Sequence, residues 1–307
     1  MKYKNFYFAV LIQLIGFIQI GEGQRYISPV FPSASLTPDI VFANNIQTLT
    51  GTPTAIDLKA DIYQPSGIPD PVNNRPLVII LHDGFYLPNI INGRPFGNKR
   101  DSCVVHICTE LAKRGYVAAS ISYRLGWNPA ATGVSGQDIR TGTYLQALYR
   151  ATQDARSCVR FFKANGASYG IDTSKIIMGG FGHGGDISLA CATLDKTQEI
   201  NLPKFLANTT NSTYGFVAGQ SYVNQSFNGD FEGFGGIPQL NNTNNTPGYS
   251  SKINFAFNMG GALLDPSWLE VGDCPIVSFH VVSDPFTPYG NGAVIVPTTG
   301  DFVVENY

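Results

Sequence analysis

The chain has little charge of either sign. Its 307 residues hold 20 Lys and Arg against 22 Asp and Glu, 14% of the total, for a net charge of −2. Without a lysine- or arginine-rich block there is no electrostatic case for nucleic acid or an anionic membrane as partner. There is no CxxC pair and no Cys/His spacing of the zinc type, so no metal and no cofactor is expected. No Gly-Lys-Ser/Thr is present, and the glycines of "GGFGHGGD" do not fit a dinucleotide fingerprint in a first strand–helix unit. The five cysteines are an odd number, so at least one stays free or pairs with another chain. Cys158 and Cys191 fall in apolar helical patterns and read as buried thiols. Cys103 and Cys108 are poorly spaced for bridging on one helix.

Long apolar runs are also scarce. The one pronounced case, "FYFAVLIQLIGFIQI" from Phe6 to Ile20, follows a basic start at Lys2 and Lys4 and precedes small Gly21 and Gly23. It is shorter than the roughly 20 residues of a membrane span. Residues 1–23 are therefore expected to be a signal peptide, with 24–307 exported to the cell surface or beyond; a retained interfacial anchor is the alternative. No membrane span is expected elsewhere.

What is present is hydrophobic, 43% of the chain, enough for a large core. After a proline-rich approach, "RYISPVFPSASLTPD", the segment "TAIDLKADIYQP" alternates as a half-buried strand near a sheet edge. "RPLVIILHDG", "YVAASISYR", "SKIIMGG", "KINFAFNMGG" and "CPIVSFHVVSD" read as buried strands. Between them the spacing predicts a helix capped by Asp101 or Ser102 and ended by Gly115, a longer one from about Tyr144 to Asn165 ended by Gly166, and a third in "GDISLACATL". This order predicts an α/β fold: a mostly parallel central sheet with helices on both faces. The polar and glycine-rich clusters all fall at the carboxyl ends of strands, where such sheets bind ligands.

From about 197 to 251 the rhythm breaks. The segment is rich in Asn, Gly, Ser and Thr, carries scattered aromatics, and is expected to be an inserted lid-like element. Asn208, Asn211, Asn224, Asn241 and Asn244 each begin an Asn-x-Ser/Thr sequon, a glycosylation site only in a glycosylating host.

The blocks "LKADIYQP", "RPLVIILHDGFY", "LAKRGYVAASISYRLGW", "YRATQDARSCVRFFKANGASYGIDTSKIIMGGFGHGG" and "VSFHVVSDPFTPYG" resemble secreted carboxylesterases of the α/β-hydrolase fold, close to feruloyl-esterase-like and acetyl-esterase-like proteins. The likeness runs from about Asp39 to Tyr289 and implies a nucleophile elbow of pattern Gly-x-Ser-x-Gly. Here that pattern is Gly180-Phe181-Gly182-His183-Gly184, with Gly182 at the nucleophile position. Glycine has no side chain to attack an acyl carbon. It does fit the strained backbone of an elbow apex without a Cβ penalty.

The resemblance places the oxyanion hole at Asp83, Gly84 and His183, with His82 and Phe85 in the crevice. A carboxylate at Asp83 would oppose a developing oxyanion; the alternative is that Asp83 turns outward and bonds its loop. The triad acid maps to Asp284, which also reads as a turn aspartate before Pro285. The family's histidine falls beyond Tyr307, as in a fragment or in a chain lacking the last strand and helix. His106 and His280 do not fit the role, and a metal held by His183, His82, Asp83 and Asp284 is a minor alternative.

The expectation is thus a degenerate carboxylesterase-like protein that binds a small ester or acylated carbohydrate without hydrolysing it. An active carboxylic ester hydrolase and a glycosylated surface or interaction protein are the two rivals.

Overall fold

The computed structural model describes residues 24–48, 52–88, 96–242 and 244–306. The expected signal peptide, 1–23, lies outside them. The strands are β1 (Ser33–Gln47), β2 (Thr54–Ser66), β3 (Arg75–Leu81), β4 (Val117–Ile121), β5 (Ile171–Phe181), β6 (Phe255–Met259) and β7 (Ile276–Phe279). They form one sheet in the order β1-β2-β4-β3-β5-β6-β7. β1, β2 and β4 pair antiparallel; β4, β3, β5, β6 and β7 pair parallel.

The central strand shows why the fold is three-layered. In β3, Leu77, Ile79 and Leu81 point into the large core under helices α2 (Gln137–Tyr169) and α3 (His183–Thr193), while Val78 and Ile80 point into a second core under α1 (Ser102–Lys113). All five are essentially inaccessible to solvent. Alternation on a strand buried on both faces turns a continuous apolar run into two cores. Each such side chain contributes on the order of 1.5–3 kcal/mol through burial.

Three sequence expectations are corrected. The proline-rich approach, residues 25–39, runs from Ser33 onward into a 15-residue strand, β1, which pairs along the edge of β2. Its own pattern does not alternate cleanly because the register slips between Thr37 and Ile40, where Asp39 adopts φ +56° and donates its N–H to Asp61 Oδ1 at 2.8 Å. Its strand state therefore comes from its neighbour. Helix α2 runs through Gly166 to Tyr169 and ends at Gly170, which is left-handed at φ +63° and ψ +38°. Gly166 serves close packing instead: a Cβ there would lie 2.5 Å from Thr173 Cγ2. Finally, β7 is an edge strand with Phe279 62% exposed, not a buried one.

The segment 197–251 contributes short turns and isolated bridges that are fastened to α2. Asp138, at the start of α2, accepts from Asn208 Nδ2 (2.8 Å), Thr209 N (2.7 Å) and the Tyr222 hydroxyl (2.5 Å). Phe216 and Tyr222 press so closely on α2 that a Cβ at Gly142 would overlap both rings. A hairpin of β8 (Gly292–Ile295) and β9 (Phe302–Asn306) also touches α2, with Arg140 Nε donating to the Phe302 carbonyl at 3.1 Å. Among the described residues no helix is long and apolar enough to cross a membrane.

Candidate active site

Strand β5 ends at Phe181, α3 begins at His183, and Gly182 makes the turn between them at φ +47° and ψ −120°. This is the strained apex of a strand–turn–helix elbow. Its flanking glycines are required by crowding. A Cβ on Gly184 would lie 2.5 Å from the Leu81 carbonyl oxygen, and one on Gly180 would overlap the backbone of Gly184. The helix N-terminus is thereby pressed against the end of β3.

The loop after β3 meets this apex. It bends sharply, with Gly84 at φ +132°, Phe85 at +57° and Tyr86 at +52°. Asp83 does not turn outward. Its carboxylate lies directly over Gly182: a Cβ built there would be 2.5 Å from Oδ1 and 2.6 Å from Oδ2. Asp83 Oδ1 accepts the His183 backbone N–H at 3.0 Å and bonds His183 Nδ1 at 2.8 Å. The first amide of α3 is thus already occupied by an internal carboxylate. The Gly84 N–H also helps to stabilise that carboxylate.

His183 is enclosed by aromatic rings, with Phe85 at 4.4 Å, Tyr86 at 5.3 Å and Tyr144 at 5.9 Å between centroids. Beneath it lies Asp186, a residue to which the sequence reading gave no role. Asp186 accepts from Ala262 N (2.8 Å) and the hydroxyls of Tyr144 (3.0 Å) and Tyr86 (3.4 Å). Burial raises the pKa of Asp186. The available signal was its place in the first turn of α3, three residues after His183; the two tyrosines come from distant segments and leave no local pattern.

Asp284 sits in a turn, its Oδ1 accepting Phe286 N at 2.8 Å and Thr287 N at 2.9 Å. It is near enough to help raise the pKa of His183, and Phe286 packs edge-on to Phe85 at 5.9 Å. The structure therefore brings Gly182, Asp83, His183 and Phe85 into contact, with Asp284 across from them. His82 stands apart. It is buried, stacks on Tyr123 at 4.3 Å and points Nδ1 at the Asp83 carbonyl, and burial depresses its pKa to about 4. His280 Nε2 bonds the Thr287 carbonyl at 2.8 Å. Among the described residues no three His, Cys, Asp or Glu side chains gather as metal ligands.

The His183–Asp83 pair carries a pH signature. Burial disfavours charge on His183, but Asp83, with Asp186 and Asp284, outweighs it and raises the pKa above 6.5. Burial also opposes charge on Asp83, yet its bonds to His183 hold its pKa below 3.8. The stability from His183 is complete below its unfolded value of about 6.5 and is lost as pH rises through its folded value. That from Asp83 is present above about 3.8 and is lost as pH falls through its folded value. The stability advantage of wild type over Asp83→Asn is thus expected to be widest between about pH 4 and 6.5 and to shrink on either side. Urea unfolding of both proteins from acid to alkaline pH measures it; a pH-independent difference would rule out an ion pair.

Of the sequons, Asn244 is exposed, and so is Asn208. Asn241 is corrected as a glycan site: it is 3% exposed, and its Nδ2 donates to the Gly233 carbonyl at 2.7 Å, which leaves no room for a sugar in this fold.

A mostly parallel sheet, helices on both faces and a glycine-flanked elbow at a strand's carboxyl end define an α/β-hydrolase. The chain belongs to the BD-FAE family, whose model matches residues 60–228. That span contains the elbow, the β3 loop and most of the segment fastened to α2. No curated protein matches the chain. Among solved structures it is similar to esterase 2 of Thermogutta terrifontis. The form phosphorylated by paraoxon is 19% identical at a TM-score of 0.48, covering 84% of this chain and 74% of that one. The native form is 18% identical at 0.46, covering 87% and 77%.

Proposed function

We propose that this protein is an exported, carboxylesterase-like member of its family that binds a ligand at the elbow crevice without hydrolysing an ester. The ligand class is a small ester or an acylated carbohydrate. The observation that carries the reading is the Asp83 carboxylate. It occupies the space of a side chain at Gly182 and takes up the His183 amide. Acyl transfer needs a nucleophile at that apex and free N–H donors for the negative charge that develops on the carbonyl oxygen. In this reading a carboxylate stands where that oxyanion would form. The basic start and apolar run before Gly21 support export.

The expected result for the mature protein, recovered from the medium of an expressing host, is no turnover of p-nitrophenyl acetate above a heat-treated control and no labelling by a fluorophosphonate probe. Family membership favours a second reading, an active ester hydrolase using another group. Labelled serine, or turnover that survives the control, would establish that reading and end the first.

A further inference from the structure

Away from the elbow, a cavity of about 680 Å³ opens between the loop after β4, helix α2 and the segment fastened to it. Trp127, Tyr214, Phe227 and Leu240 are among its walls, and none of Gly182, Asp83, His183 or Asp284 lines it. Its size is that of a site for a small organic molecule. Among the described lining residues only one carries a full charge, Arg150, from the middle of α2.

Arg150 is 3% exposed, and among the described residues its side chain has no hydrogen bond or ion pair; its Nε is enclosed without a partner. The nearby acid cannot serve it. Asp154 is held by Arg124, whose Nε lies 2.9 Å from both carboxylate oxygens and whose backbone N–H donates to Oδ2 at 2.8 Å. Burial, and after it the like charge of the Arg124 guanidinium beside it, depresses the pKa of Arg150 to about 9. At neutral pH Arg150 still carries its proton. A second orphan lies in the same wall: Asn228, 3% exposed, has no donor for its Oδ1.

A buried charge without a counter-ion is costly, and in other settings the cost is removed by pairing or by an apolar replacement. An arginine fork is suited to the two oxygens of a carboxylate, and flat rings to an apolar body. We propose that this cavity is a binding site for a small organic carboxylate with a flat apolar body, and that Arg150 is the residue that anchors its anionic end. The inference rests on Arg150 and its surroundings, independently of whether the elbow catalyses.

Benzoate, its neutral counterpart benzamide, and inorganic phosphate are the probes, titrated by calorimetry into wild type and Arg150→Met, with thermal unfolding of both proteins without ligand. Benzoate is expected to bind wild type at least about tenfold more tightly than benzamide or phosphate, as a charge-assisted bond on an apolar body requires. Arg150→Met is expected to lose that preference and to unfold at a higher temperature than wild type, because it removes an unpaired buried charge. Equal binding of benzoate and benzamide, no benzoate binding at all, or phosphate binding more tightly than benzoate would overturn the proposal. So would a lower unfolding temperature for Arg150→Met, which would make the arginine a structural element. The comparison of probes on wild type needs no variant, so the proposal stays testable if Arg150→Met does not fold. Benzoate bound at the elbow would survive Arg150→Met, which separates this outcome from the reading above.

Discussion

Gly182→Ser lowers the stability of this protein by about 2–4 kcal/mol, and Asp83→Gly in the same chain recovers part of the loss. Two costs add in the single variant. A serine at φ +47° adopts backbone geometry that L-residues with a Cβ rarely take, at about 1–3 kcal/mol. Its Cβ also meets the Asp83 carboxylate, which must leave its place over the apex and give up its bonds to His183. The first cost belongs to the elbow and remains in the double variant. The second disappears with the carboxylate, although His183, 7% exposed at its side chain, then lacks its anion. A double-mutant cycle by denaturant unfolding reads the coupling directly. If the two substitutions add within about 0.5 kcal/mol, Asp83 does not occupy the serine's place and the case for lost catalysis weakens accordingly. Gly182→Ser alone is not expected to restore ester hydrolysis, since the displaced carboxylate stays on the adjoining loop as a negative charge that opposes a developing oxyanion.

The second large effect lies deeper. Asp154→Ala is expected to destabilise by about 3–5 kcal/mol, because it strands a fully buried guanidinium. Arg124 and Asp154 are both inaccessible to solvent, and Asp154 is the only anion paired with Arg124 among the described residues. Arg124 also donates to Gln153 Oε1 at 3.0 Å and to the carbonyls of Arg150 at 3.2 Å and Leu240 at 3.2 Å, so it ties β4's loop to α2 and to the segment beyond. Removing the carboxylate leaves two adjacent buried cations, Arg124 and Arg150. Replacing both partners, as Arg124→Met with Asp154→Ala, is expected to cost less than Asp154→Ala alone, since neither member of that pair is then left as an unpaired charge. Guanidinium chloride unfolding decides it; a double variant less stable than the single would mean that the hydrogen bonds of Arg124 to the carbonyls outweigh its charge.

The Gly182 apex and the Asp83 carboxylate together separate two kinds of information. That residue 182 cannot be a nucleophile is a property of the residue type and needs no coordinates. That the Asp83 carboxylate lies over the apex depends on a rotamer, and a loop aspartate has several. The sequence left both orientations of Asp83 open, inward against an oxyanion or outward to its loop. The inward one prevails because a glycine at 182 leaves space for a carboxylate, and the His183 amide and ring offer it bonds at 3.0 and 2.8 Å.

The order of strands and helices, the position of the elbow and the identity of the parallel core were legible in the chain, because buried strands and amphipathic helices impose periodicities on their own residues. Where an element owes its state to a neighbour, the local pattern was silent. β1 is a strand because the edge of β2 needed pairing, and α2 outruns Gly166 because that glycine answers to Thr173 across the turn. The same holds for function. Residue type alone determined that the elbow lacks an attacking oxygen. Only the tertiary structure decided that Asp83 sits on the apex, that Asp186 and two tyrosines underlie His183, and that Arg150 faces a cavity with its nearest acid already taken. These are long-range contacts, set by packing and charge compensation between segments far apart in the chain, and no short stretch of sequence contains both partners.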